Sequence, residues 1–169
     1  MRRRDREFAE FVGARRAQLV RTARLLTAGD EHTAEDLVQT ALTKLYLAWP
    51  RVEPGGADAY ARRVLVNTFV DLTRRPWWRR EAVAEELPDA ALRGSVDGAV
   101  AESDAVRAAL AALPDGQRTA VVLRHWLDLD VAECSRLMKV DPGTVKSQTA
   151  RGLAKLRTLL ADDVEVAAR

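Results

Sequence analysis

The sequence predicts an all-α protein built as two small helical domains joined by a flexible linker. Three observations predict this. Apolar residues recur at helical rather than alternating spacing along most of the 169-residue chain, and Ala, Leu, Arg and Glu are abundant. That periodicity lapses between Trp77 and Ser103, where Pro88, Gly94 and Gly98 interrupt a stretch whose apolar residues are mostly alanine and valine. Charge also runs in blocks. From Arg62 to Arg80 six arginines accompany one acid, Asp71; from Glu81 to Asp104 seven acids accompany one base, Arg93. From Asp141 to Arg157 the balance is basic again, with Lys146, Arg151, Lys155 and Arg157 against Asp141. A net charge of only +2 conceals this pattern. Two basic blocks set apart by an acidic stretch suit two modules that touch one polyanion; the plainer alternative is a set of solvated helix faces.

The elements follow in order. A first helix is expected over about Arg4 to Leu26, ending at Ala28-Gly29-Asp30, a glycine stop followed by a polar cap candidate. Thr33 with Asp36 three residues on reads as an acidic variant of the capping box, opening a helix up to Trp49 and Pro50. Its apolar stripe is Ala34, Leu37, Val38, Ala41, Leu42 and Leu45. Arg51 to Ala57 is a loop by its proline and paired glycines. Asp58 is placed to cap the next helix, which runs to about Arg75 and stops at Pro76. Beyond the linker, helices are expected over Ala105 to Leu113 and about Gly116 to Leu127, broken by Leu113-Pro114-Asp115. Asp130 and Glu133 form a second capping box before a short helix, Val131 to Met138. Lys139-Val140 is a tight turn, and Asp141 caps a last helix with Pro142 at its first position, reaching about Leu160. Two helices joined by so short a turn form a helix-turn-helix.

An enzyme finds no support. Gly55-Gly56 and the isolated glycines match no nucleotide-binding pattern, and no nucleophile elbow is present. Glu35-Asp36 and Glu85-Glu86 are adjacent pairs, so their carboxylates diverge on a helix. The single cysteine, Cys134, excludes an internal disulfide and reads as a buried thiol; His32 and His125 lie too far apart to suggest a metal site. No cofactor is expected. No segment is apolar enough for a membrane span, and Met1-Arg2-Arg3-Arg4-Asp5 is not followed by an apolar core, so a soluble cytoplasmic protein is expected.

Binding is better supported. In the second helix of a helix-turn-helix the first residues face base edges in the major groove. Here these are Pro142, Gly143, Thr144, Lys146, Ser147 and Gln148, with Arg151 and Lys155 further along to neutralise phosphates. In the helix from Asp58 to Arg75, Arg63, Asn67, Asp71 and Arg74 recur on one face, with Arg62 alongside and Arg75, Trp77 and Trp78 following. Arginines interleaved with aromatics suit nucleic acid whose bases are partly unstacked; the competing reading puts Tyr60, Phe69 and the tryptophans in the core. The helix from Thr33 to Trp49 differs. Glu35, Asp36, Gln39 and Lys44 give it an acidic-to-polar surface suited to a protein partner.

These pieces together resemble the extracytoplasmic-function (group IV) sigma factors of bacteria, in their small actinobacterial sigma-E-like branch. Gly29-Asp30 with Ala34-Glu35-Asp36-Leu37-Val38-Gln39 is similar to the start of the family's region-two clamp helix. Tyr60-Ala61-Arg62-Arg63-Val64-Leu65-Val66-Asn67, ending in Arg74-Arg75, is similar to its promoter-melting helix. Leu113-Pro114, Arg118 and Val121-Val122-Leu123-Arg124 resemble the opening of region four, and Gly143-Thr144-Val145-Lys146-Ser147 with Arg151 and Leu156-Arg157 resembles its recognition helix. The resemblance implies region two over 1–80, a linker over 81–103 and region four over 104–169. It implies that Asp36, Leu37, Gln39 and Thr40 meet core RNA polymerase. Arg51, Val52, Tyr60, Arg62, Arg63, Asn67, Arg74 and Arg75 would meet the minus-ten DNA, and the residues from Pro142 to Lys155 named above the minus-35 duplex. Implied partners are core RNA polymerase through its beta-prime clamp and beta flap, promoter DNA, and an anti-sigma factor. A flipped base of the minus-ten strand would sit in the pocket of the loop.

Two residues depart from the pattern: Ser135 replaces a usual alanine, and Lys139 a usual glycine in the turn. A lysine held at positive φ costs about 1 kcal/mol. Two competing readings follow: a stand-alone helix-turn-helix regulator binding an operator without polymerase, and a sigma-like protein that binds partners without opening promoters.

Overall fold

The structure, a computed structural model, describes residues 2–73 and 104–167, with side chains to residue 162. Among the described residues every regular element is a helix. The chain divides into two compact units, Met1–Thr73 and Arg74–Arg169. The expected linker, the expected end of the third helix at Arg75, and the Trp77-Trp78 pair lie outside the described residues.

The first unit packs α1 (Arg3–Leu26), α2 (Glu31–Ala48) and α3 (Ala57–Thr73) against one another. Ala34, Leu37, Val38, Ala41, Leu42 and Leu45 of α2 are all buried, as their spacing requires, between Leu19, Ala23 and Leu26 of α1 and Ala61, Leu65, Val66, Phe69 and Val70 of α3. The caps differ from expectation. Asp30, not Thr33, caps α2: its carboxylate accepts from the Thr33 amide at 3.1 Å and the Thr33 hydroxyl at 2.8 Å. Those two bonds, the amide first, hold the Asp30 carboxyl below its ordinary pKa. A threonine three residues inside a helix can only answer a cap, and the aspartate before it has the shorter reach. Asp58 likewise falls inside the first turn of α3, where it pairs with Arg62 at 2.8 Å, while the Gly56 carbonyl takes the first helical bond, from the Tyr60 amide.

The second unit gathers α4 (Asp104–Ala111), α5 (Asp115–Val121) and α6 (Val131–Met138) around α7 (Pro142–Ala167). Here α7 continues past the expected end near Leu160. Where one helix was expected from Gly116 to Leu127, α5 instead passes into a π turn, Val122–Trp126, closed by the Leu127 amide on the Val122 carbonyl at 3.0 Å. The wider turn leaves Val122 and Leu123 buried while the Arg124 guanidinium donates to the Leu129 carbonyl at 2.7 Å. Arg118 is also interior, 4 % exposed, donating to the Leu113 carbonyl at 3.0 Å and pairing with Asp115. Gly152 sets how closely α5 and α7 approach. A Cβ there would stand 2.7 Å from Val121 Cγ2 and 3.2 Å from the Gln117 carbonyl oxygen.

The helix-turn-helix lies at α6 and α7. Asp130 caps α6, accepting from the Glu133 amide at 2.7 Å. Lys139 sits at φ 58°, as the missing glycine implied. Ser135 accounts for how the turn is held: its hydroxyl donates to the Val140 carbonyl at 2.5 Å, and its own carbonyl accepts from the Lys139 and Val140 amides. The two departures from the family pattern are therefore coupled in one turn. Cys134, one residue before, is buried, and burial pushes its thiol up to about 11.

Two outcomes follow. Lys139→Gly should raise stability by about 1 kcal/mol by relieving the left-handed lysine, and Ser135→Ala should lower it by about 1 kcal/mol through the lost hydrogen bond; thermal unfolding of both variants checks the signs. For Cys134, the folded thiol keeps its proton to higher pH than the unfolded one, whose pKa is near 9. Stability should therefore decline as pH rises from 9 towards 11. A thiol reagent at pH 9 should label the unfolded chain and spare the folded one.

Candidate nucleic-acid and partner interfaces

Because each helix buries one stripe, the residues opposite that stripe are its presentable face. In α2 that face is Asp36, Gln39, Thr40 and Thr43, followed by Leu47, a leucine left 66 % exposed. Leu37, expected among the polymerase contacts, is 1 % exposed and belongs to the core, so it cannot meet a partner without unfolding α2 from its neighbours. Glu35 is turned to internal use: its carboxylate pairs with Arg16 of α1 at 2.5 Å, as Glu31 pairs with Arg24 at 2.8 Å. The acidic charge that remains outward on this helix is Asp36, with His32 Nε2 at 3.5 Å from it. Leu47 was missed from sequence, although its place four residues after Thr43 and seven after Thr40 puts it in the same outer row.

On α3 the structure brings Tyr60, Arg63, Asn67 and Asp71 into one row opposite the buried residues; Arg63 is exposed, and Tyr60 and Asn67 are half-buried. Phe69 is core. Arg62 stands about 100° round the helix from Arg63 and is half-buried against Asp58, so it is set apart from that row. Arg74 and Arg75 lie outside the described residues.

The loop before α3 is preformed. After the 3-10 turn Trp49–Arg51, the Gly56 amide closes a turn on the Glu53 carbonyl at 2.9 Å, with Pro54 second and Gly55, at φ 82°, third. That is the residue order a type II turn demands. Arg51 is exposed and Val52 half-buried. A cavity of about 620 Å³ opens beside the loop, lined on one side by Trp49, Pro50, Val52, the turn Glu53-Pro54-Gly55, and Ala57. Its other wall was not anticipated from sequence: it is Arg3, Arg4 and Glu7 of α1. An aromatic cluster holds that wall in place. Phe8 meets Tyr46 and Trp49 edge-on, with ring centroids 5.0 and 5.3 Å away, and Phe11 meets Trp49 at 5.6 Å. The Arg4 guanidinium lies 4.4 Å from the centre of the Tyr46 ring and donates to the Tyr46 carbonyl. The Tyr46 hydroxyl donates to Asp5 at 2.8 Å, and that carboxylate raises the phenol's pKa.

In the second unit, the face of α7 opposite its core carries Pro142, Gly143, Lys146 and Ser147, with Thr144 and Arg151 on the flank and Lys155 exposed beyond. Gln148 is the correction. At 1 % exposed it faces inward with Val145, Gly152 and Leu156, so it cannot reach a base edge. The sequence held the signal: positions 145, 148, 152 and 156 recur at intervals of three and four, a core stripe in which a glutamine stands among apolar and small residues. His125, in the π turn, is half-buried, and desolvation lowers its pKa. Among the described residues no cluster of three or more His, Cys, Asp or Glu side chains could hold a metal ion, and no helix is long and apolar enough to cross a membrane.

Comparison with known proteins finds relatives along most of the chain. Residues 11–79 match the family described as Sigma-70 region 2, and residues 103–156 match Sigma-70, region 4. The chain is 40 % identical to the RNA polymerase sigma-E factor of Streptomyces coelicolor over 96 % of this chain and 91 % of that protein. It is 32 % identical to the ECF RNA polymerase sigma factor SigM of Mycobacterium tuberculosis, over 90 % of this chain and 76 % of that one. Among solved structures, the sigma factor RpoE of Bartonella quintana, crystallised with the anti-sigma factor NepR, shares the fold at a TM-score of 0.61 and 24 % identity, covering 92 % of this chain and 97 % of that one. With both sigma regions in order and near-full-length identity to a sigma-E factor, the chain belongs to the extracytoplasmic-function sigma factors of RNA polymerase.

Proposed function

We propose that this sigma factor performs promoter recognition through three surfaces, each set opposite a buried stripe. The outer row of α2, Asp36, Gln39 and Thr40 with Leu47 at its end, docks on the beta-prime clamp of core RNA polymerase. A single carboxylate beside uncharged polar groups and one exposed leucine suits a protein partner, since a phosphate backbone would be repelled by Asp36. Arg51, Val52, Tyr60, Arg63 and Asn67 take the minus-ten strand once it is unpaired, and the 620 Å³ cavity beside the loop accepts one flipped base. Pro142, Gly143, Lys146 and Ser147 enter the major groove of the minus-35 duplex, with Arg151 and Lys155 on its phosphates.

The observation that carries this reading is the presentation of α7. Its first turns expose Gly143 and Lys146 just after a capped helix and a braced turn, which is the geometry a duplex-reading helix needs. The reaction needs no catalytic group from this chain, which positions DNA for a polymerase that makes the phosphodiester bond. A site of action in the cytoplasm, where polymerase and promoter meet, follows from the same reading, as does control by an anti-sigma partner.

Run-off transcription with core polymerase tests the function: a promoter-dependent transcript is expected when the protein is added, and its absence across a randomised promoter library contradicts the reading. The surfaces separate by variant. Lys155→Ala should weaken duplex binding and reduce the slope of log affinity against log salt by about 1. Asp36→Ala should weaken binding to core polymerase and leave duplex affinity unchanged; unchanged core affinity removes α2 from the docking surface.

A further inference from the structure

The cavity beside the 49–57 loop is not made by that loop alone, and its two walls differ in chemistry. Pro50, Val52, Pro54 and Ala57 offer apolar surface, and Trp49 an aromatic ring. Loop carbonyls are partly committed: Trp49 accepts from the Val52 amide at 3.3 Å and Glu53 from the Gly56 amide at 2.9 Å. Apart from Glu53 and the Trp49 indole N–H, the polar side chains lining the cavity all come from α1: Arg3, Arg4 and Glu7. A nucleobase needs both kinds of wall, apolar surface for its faces and hydrogen-bonding groups for its edge.

This α1 wall is also fixed in place. Arg4 is held from two directions by Tyr46, through the ring and through the carbonyl at the end of α2. Phe8, one residue after Glu7, packs edge-on against both Tyr46 and Trp49. Arg3 pairs with Glu7 at 2.8 Å, and both side chains remain open to solvent, at 93 % and 47 % exposure. The pair can therefore exchange its mutual contact for one with a ligand at little cost in burial.

We propose that the first two turns of α1 are a specificity element of this sigma factor, with Arg4 and Glu7 reading the edge of the flipped minus-ten base. This rests on the assignment of the cavity to that base. An arginine donates only and a carboxylate accepts only, so together they match an edge that offers an acceptor beside an exocyclic amino group. Adenine, cytosine and guanine carry such an amino group. Thymine carries no amino group: the one donor on its pairing edge, N3–H, lies between two carbonyl oxygens, so Glu7 accepting from it stands beside a further acceptor, a poorer match than an amino group.

The test uses holoenzyme reconstituted from the full chain and core polymerase, transcribing a template pool randomised across the minus-ten element, with the transcripts sequenced. For the wild type, thymine should be disfavoured at one position of the element. Glu7→Gln keeps the shape but adds donors, and should reduce the bias against thymine at that position alone by about 5- to 10-fold. Arg4→Met should flatten preference at the same position. Core-polymerase affinity of both variants, measured alongside, should equal that of wild type, since neither residue lies on the outer row of α2. If Arg4→Met fails to fold, Glu7→Gln decides, because among the described residues Glu7 pairs with the exposed Arg3, and the glutamine keeps its shape. Unchanged base preference in Glu7→Gln holoenzyme that transcribes normally overturns the proposal and leaves the sigma function standing. Failure of the wild type to transcribe any template in the pool overturns the function itself.

Discussion

The apolar seam along α2 is the constraint on which the first unit depends. Six residues at helical spacing, from Ala34 to Leu45, are buried by α1 on one side and α3 on the other. A three-helix unit of this size has no second core to fall back on, so the seam decides the orientation of all three helices. Each helix's outward residues are then dictated by subtraction. Asp36, Gln39 and Thr40 face outward because Leu37, Val38 and Ala41 are held in the core. Arg63 and Asn67 face outward because Leu65, Val66 and Phe69 do not. Binding faces built in this way need no dedicated scaffold: the helix that carries them is rigid for reasons of packing, and the polar row inherits that rigidity.

The second unit solves the same problem around α7, but with tighter tolerances. Val145, Gly152 and Leu156 form its inner stripe, and Gly152 lets the α5 backbone come so close that any side chain at 152 would collide with Val121. Gln148 shares that stripe, which converts a residue type suited to reading adenine into an interior one. The π turn after α5 serves the same packing. It inserts extra backbone where Val122 and Leu123 must stay buried and Arg124 must reach the Leu129 carbonyl. At the turn of the helix-turn-helix, the strain of a left-handed Lys139 is offset by a hydroxyl, Ser135, at a position where an alanine would leave the Val140 carbonyl to water.

Ion pairs sort the charges of the first unit into structural and presentable ones. Glu31 and Glu35 hold α2 to α1 through Arg24 and Arg16, and Asp58 draws Arg62 aside. Exposed pairs of this kind contribute little stability. Their effect is on the surface potential: the acids they occupy no longer oppose a nucleic acid, and Asp36 is left as the outward carboxylate of its row. The alternation of basic and acidic blocks in the linear sequence is thus a coarse guide to the field that a partner meets, and side-chain pairing refines it.

Periodicity, caps and turn residues are local properties, and these the sequence by itself determined: all-helical architecture, the α2 stripe, the Asp130 cap, Pro142 at the start of α7, and the positive φ of Lys139. The outward row Arg63, Asn67 and Asp71 of α3 followed from the same 3.6-residue repeat. Errors arose where two local readings competed and only packing could choose. Thr33 and Asp30 both suited a cap, and Leu37 and Gln148 both lay near surface motifs while occupying core register. The cavity wall belonged to neither kind. Arg4 and Glu7 stand more than forty residues from the loop they face, and no local pattern in α1 distinguishes them from other charged residues of an amphipathic helix. Only the tertiary contact of Phe8 and Phe11 with Tyr46 and Trp49 brings them to the loop, because aromatic packing between distant segments is decided by the whole core rather than by either segment.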